Sequence, residues 1–174
     1  MVCKVMSSGS SMASAIGYNE DKVKEGCAKV ISEVNPDPDH ATVLDTFARL
    51  ESRNIRSQNV SFHMSVNPSS NEKLTESQIK EFIGELMNGL GYGKQPYVIY
   101  RHNDIERTHF HVVSIRVNHS GKKIPDRLER LHCNGLLKEM APRYGIQLGN
   151  GNSKSVSFEK EQGKELTKSV GKKM

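Results

Sequence analysis

Three of the chain's seven histidines, His102, His109 and His111, fall within ten positions of one stretch, YRHNDIERTHFHVVSIRV. Successive side chains of a strand point to opposite faces, so His109 and His111 share a face, about 7 Å apart. His102 and Asp104 share a face by the same rule if their strand persists that far, and pairing the two flanking strands as a hairpin sets His102 beside the other two. Three neutral imidazoles on one patch suit a divalent ion and leave positions open for substrate and water, the pattern of a catalytic site rather than a structural one. Asp104 is placed to accept the remaining ring N–H of one ligand and hold its tautomer. Spacing alone names no reaction, and the same residues also suit a solvent-facing hairpin.

Two further residues gain interest beside such a site. Tyr18 stands in the polar context AIGYNEDK, where it either covers a helix end or, next to a metal, offers a phenol that attacks a phosphate. His63 shares the polar face of SFHMSV with Ser61 and Ser65. If that strand lies near the hairpin, His63 is a phosphate contact or a proton acceptor; otherwise it bonds a neighbouring strand.

The elements that must position these groups follow from patterning. VCKVM at 2–6 predicts a short strand, and the serine cluster SSGSS turns it into a helix capped by Ser10 or Ser11 and ended by Gly17, just before Tyr18. CAKVISEV at 27–34 predicts a second strand. After the interruption NPDPDH, Asp39 caps a helix that buries Val43, Leu44, Phe47 and Leu50. NVSFHMSVN at 59–67 alternates strictly, with Val60, Phe62, Met64 and Val66 inward and a polar working face outward. In LTESQIKEFIGELMNGLGYG, Thr75 and Gln78 make a capping box, an apolar stripe follows, and Gly91 supplies the left-handed stop. PYVIYRH and HFHVVSIRV are strands joined by the polar NDIERT, HSGKK is a turn, and a helix from Asp126 to about Arg143 buries Leu128, Leu131 and Leu136, with Pro142 bending its end. The mixture predicts an antiparallel sheet with helices packed on its faces.

Length and charge set the outer limits. With 174 residues the chain suits one domain, taken as 1–148, followed by a polar tail at 149–174 that reads as flexible and as the start of a longer region. The formal charge of +5 suits a polyanionic partner or mere solubility. Three widely spaced cysteines without a CxxC pair argue against a disulfide framework or a cysteine zinc finger. There is no signal-peptide pattern and no run near the ~18 apolar residues of a spanning helix, so a cytoplasmic protein with no membrane partner is expected.

The segment from SFHMSVN to GKKIPDR, with H-x-D-x4-H-x-H following GYG-x2-PY, closely resembles the relaxases, the mobilization nucleases of conjugative and mobilizable elements, and most of all the mobilization proteins of Bacteroides-type elements. The similarity runs from KVMSSGSSMASAIGYNEDK to LKEMAPRYGI and so covers most of the chain. It departs at Ile115, where many relaxases carry asparagine, and in the bulkier IERT before the second histidine. The resemblance implies an α+β fold, a central antiparallel sheet of about five strands flanked by helices, like that of the rolling-circle initiators. It implies that His102, His109 and His111 hold one divalent cation, Mg2+ or Mn2+, with Zn2+ or Ni2+ able to substitute in vitro. It further implies that Tyr18 is the nucleophile in a transesterification on single-stranded DNA, leaving a free 3′ hydroxyl and a 5′ phosphotyrosine; Tyr92, Tyr97, Tyr100 and Tyr144 then belong to the core or the sheet.

Asp104, His63 or the metal is left to take the phenolic proton, which a pKa of about 10 does not release unaided. The expected partner is single-stranded DNA at a transfer origin with an adjacent hairpin, bound by a monomer, with accessory mobilization proteins and with Arg101, Arg116, Lys122 and Lys123 as candidate phosphate contacts. The rival readings are a rolling-circle replication initiator, which more often carries its tyrosine after the histidines, a non-catalytic DNA-binding module stabilised by a metal, and a histidine phosphodiesterase that forms no adduct.

Overall fold

The computed structural model describes residues 1–6, 11–37, 39 and 42–148. The tail at 149–174 and the serine positions 7–10 lie outside the described residues. The elements run β1 (Val2–Val5), α1 (Met12–Lys24), β2 (Ala28–Val34), α2 (Val43–Arg53), β3 (Ser61–Asn67), α3 (Glu76–Gly89), β4 (Tyr97–His102), β5 (His109–Ile115) and α4 (Glu129–Met140), with a closing 3-10 turn at Ala141–Tyr144. The five strands form one antiparallel sheet in the order β1-β3-β5-β4-β2.

Alternation along the strands splits the interior into two layers, one on each face. Phe62, Met64, Val66, Ile99, Phe110 and Val112 meet Phe82, Ile83 and Leu86 of α3 and Cys133 and Leu137 of α4. On the other face Val98, Tyr100, Val113 and Ile115 meet Met12 and Ala15 of α1 and Val43, Phe47 and Leu50 of α2. With helices over both faces, Ser61 and Ser65 are buried, not the solvated working face that strict alternation suggests. Only the end of that second face, beyond the apolar packing, carries imidazoles.

The α3 reading holds in detail: Thr75 and Gln78 close a capping box and Gly91 sits at φ +92°. Three other expectations are corrected. Gly17 does not end α1, because burial of Met12, Ala15 and Asn19 on one side continues through it and outweighs the roughly 1 kcal/mol propensity cost of a glycine. The left-handed stop is Gly26, at φ +74°. Asp39 does not cap α2; Thr42 does, its hydroxyl accepting from the Asp45 backbone N–H at 3.0 Å.

The third correction concerns α4, which begins at Glu129 after Leu128 in the left-handed region (φ 62°), not at Asp126. Its buried stripe is therefore Glu129, Cys133, Leu137 and Met140. Leu128 and Leu131 are about two-thirds exposed (65% and 67%) and Leu136 only packs against the core edge. Pro142 falls in the 3-10 turn, where its missing N–H is harmless.

Candidate metal centre and nuclease site

The hairpin register brings the histidines together. His102 lies directly across from His109 on β4 and β5, while His111 sits between Tyr100 of β4 and Ser65 of β3. One nitrogen from each of His102, His109 and His111 falls within 4.8 Å of the others, close enough to share one ion.

Hydrogen bonds assign the tautomers. His102 Nε2 donates to Asn19 Oδ1 at 2.9 Å, leaving Nδ1 as a buried nitrogen with no partner among the described residues. A buried polar atom without a partner costs about 1–3 kcal/mol, so an unpaired lone pair aimed at two other imidazoles is what a metal ligand requires. His109 Nδ1 lies 3.2 Å from the Arg107 carbonyl, which frees its Nε2. His111 Nδ1 lies 2.7 Å from His63 Nε2, which frees its Nε2 in turn. Each imidazole is thus oriented from behind by a different group, as a metal ligand would be.

Burial keeps His63, His102 and His111 neutral. It pulls the His111 pKa down to about 2, helped by the neighbouring imidazoles, and that of His63 down to about 4, helped by His102. His102 is lowered as well, chiefly by burial and then by His109, against the opposing pull of Asp104. Neutral imidazoles present lone pairs, so this donor set fits a divalent metal ion.

Asp104 stands on the ligand side and not behind it: its Oδ1 is 3.6 Å from His109 Nε2 and 4.0 Å from His102 Nδ1. The tautomer-holding task expected of it falls to Asn19, the Arg107 carbonyl and His63. Asn19 was missed in the sequence. The available signal was an asparagine four residues after Ala15 on the buried side of α1, where it also donates to the Ala15 carbonyl at 2.8 Å.

Because α1 runs through Gly17, Tyr18 projects from the helix over the imidazoles. Its ring centroid lies 6.2 Å from that of His102, nearly parallel, and 6.0 and 6.5 Å from those of His111 and His63. Tyr18 is about half exposed (48%), whereas Tyr92, Tyr97 and Tyr100 are buried. Tyr144 packs against the core edge.

Of the basic residues proposed as phosphate contacts, Arg116 is ruled out by position. It is 2% exposed, donates to the Ser61 carbonyl and pairs with Glu129 at 2.5 Å, and Glu129 also accepts from Tyr92. The sequence pattern missed this because Arg116 is adjacent to the turn, where basic residues usually meet water. Lys122 and Lys123 lie past the far end of β5, roughly 20 Å along the strand from His109. Lys123 is held there by Asp126 at 2.8 Å. Arg101 is on the opposite face of β4 from the imidazoles, as Tyr100 and His102 on either side of it require.

Comparison with known proteins bears on the family and the fold. The family model for relaxases, described as the MobA/VirD2-like nuclease domain, matches residues 18–146. Among solved structures the chain is similar to the MobM relaxase domain (MOBV; Mob_Pre), a Mn-bound crystal structure with plasmid pMV158 oriT DNA. The two share 16% identity over 92% of this chain and 95% of that chain with a TM-score of 0.55, a likeness of fold. No curated protein matches. No helix among the described residues is long and apolar enough to cross a membrane. The match takes in Tyr18, the histidine hairpin and four of the five strands, most of the chain, which therefore belongs to the relaxase family as a MobA/VirD2-like nuclease domain, a DNA-nicking endonuclease.

Proposed function

We propose that the chain nicks one strand of DNA at a transfer origin by tyrosine transesterification, with Tyr18 as nucleophile. The observation that carries this is the placement of one half-exposed tyrosine ring against His102, His111 and His63 at about 6 Å. The phenolic oxygen forms the new bond to phosphorus as the bond to the 3′ oxygen breaks. The product is a 5′ phosphotyrosine that keeps a phosphodiester linkage for later rejoining.

Asp104 is the group we assign to take the phenolic proton and return it to the departing 3′ oxygen. It is a carboxylate on the open side of the cluster, whereas His63 has its Nε2 engaged by His111. His63 is then a positioning residue. His102, His109 and His111 would hold the divalent cation, which when bound neutralises the non-bridging oxygens of the scissile phosphate. Nitrogen donors with one nearby carboxylate favour Mn2+ over Mg2+, with Zn2+ or Ni2+ as substitutes, in keeping with the Mn bound by MobM.

Single-stranded DNA beside a hairpin, bound by one copy of the chain, is the substrate form this implies, and residues 1–148 are the nuclease domain. The test uses a supercoiled plasmid carrying a cognate transfer origin with Mn2+. The expected result is a nicked circle with protein attached through Tyr18, identified by mass spectrometry, and no nicking by Tyr18→Phe. Nicking that survives Tyr18→Phe would instead make the chain a histidine phosphodiesterase that forms no adduct.

A further inference from the structure

On the reverse side of the histidine hairpin lies a cavity of about 320 Å³ that none of the roles assigned above uses. Its walls combine two arginines, Arg101 and Arg107, and two carboxylates, Glu72 and Glu76, with Phe110 and Leu74. We propose that this cavity is a nucleotide subsite, which takes one base of the single-stranded DNA substrate flanking the scissile phosphate. The inference rests on the DNA-nicking reading and extends it.

The hairpin register carries the argument. His102 pairs with His109, and on the next rung Arg101 pairs with Phe110. Adjacent rungs point to opposite faces, so the imidazoles open on one side of the hairpin end and the Arg101–Phe110 pair on the other, one residue apart along each strand. A DNA strand that passes round the loop at 103–108 meets both.

Charge agrees with that path. Glu72 is paired with the Met1 amino group at 2.5 Å, and Glu76 with Lys80 at 3.1 Å and Lys29 at 3.4 Å. The arginines are left with little compensation. The nearest carboxylate oxygen to Arg101 is that of Glu76 at 3.9 Å, and the Arg101 Nε–H has no acceptor among the described residues. Arg107 is exposed and no ion pair holds it among the described residues. A guanidinium beside an aromatic floor is the combination that stacks on any base, while a second guanidinium at the rim suits the adjoining phosphate. The Arg107 carbonyl holds His109 from behind, so a nucleotide that orders Arg107 also steadies a metal ligand.

The probes are two fluorescein-labelled 12-mers, oligothymidylate and the same strand with abasic sugars at its six central positions, bound in the presence of Mn2+ and followed by anisotropy. The wild-type chain should bind the thymidylate at least about fivefold more tightly. Arg101→Lys keeps the charge but not the planar face; it should lose that preference and keep the salt slope. Arg107→Gln should keep the preference and flatten the slope by about 0.7. Thermal melts establish that each variant is folded.

Equal wild-type affinity for the two strands, or a base preference that survives both Arg101→Lys and Arg101→Gln, overturns the subsite. The probes need no nick site, so Tyr18→Phe should show the wild-type preference. A Tyr18→Phe chain that still nicks would remove the nucleophile assignment and leave the subsite standing. Absent base preference with intact nicking removes the subsite alone.

Discussion

Asn19 Oδ1 accepts from His102 Nε2 at 2.9 Å, so the residue next to Tyr18 in the chain fixes a ring of the candidate metal centre on the sheet. One helix thereby carries both Tyr18, the proposed nucleophile, and the support of the candidate ion site, and any tilt of α1 moves the two together. Asn19→Ala leaves the His102 N–H without its acceptor and lets the ring turn. Mn2+ affinity, measured by calorimetry, should fall by 10- to 100-fold, in the range typical of lost outer-shell partners. An unchanged affinity would show that packing alone orients His102.

His63 tests a different support. With its Nε2 accepting from His111, His63→Phe should weaken Mn2+ binding by a similar factor, and excess Mn2+ should restore most of the nicking rate. If saturating Mn2+ leaves the rate more than about a hundredfold down, His63 is the proton acceptor and the assignment to Asp104 fails.

The depressed histidine pKa values predict how the metal-free fold responds to acid. An unfolded imidazole takes up a proton near pH 6.5, but folded His63 does so only near pH 4 and folded His111 near pH 2. Below pH 6.5 the unfolded state therefore binds more protons, and stability falls as pH drops from about 6.5 through 4. Thermal melts of chelator-treated protein across that range should show a steadily declining midpoint. His63→Phe removes one of the three lowered groups, His63, His102 and His111, and should flatten the decline.

Metal addition should act in the opposite sense at neutral pH. Mn2+ at a hundred times its dissociation constant adds about 2.7 kcal/mol, or roughly 5 to 11 °C in Tm for a chain of this size. The increment should vanish in His109→Ala, and chelation should abolish nicking by the wild-type chain.

Arg116 belongs to the fold and not to the DNA surface. Removing one partner of its buried pair, as in Glu129→Gln, should cost about 3 to 5 kcal/mol of stability in denaturant titrations. The salt slope of DNA binding should be unaffected at temperatures where that variant is folded.

Local patterning was enough for most of the elements and for the clustering of the three histidines. Strict alternation marked β3, the capping box and Gly91 bounded α3, and H-x6-H-x-H on a hairpin placed His102, His109 and His111 on one face, because strand period and turn chemistry are properties of short segments. What the tertiary structure decided is everything that depends on which surfaces meet. Gly17 stays helical because Ala15 and Asn19 bury against the sheet, and the phase of α4 follows from Glu129 being held by Arg116 and Tyr92. For the same reason Asn19 and the Arg107 carbonyl could be recognised as ligand supports only once α1 and the hairpin loop were in place: a hydrogen bond spanning 83 residues leaves no period in the sequence to read.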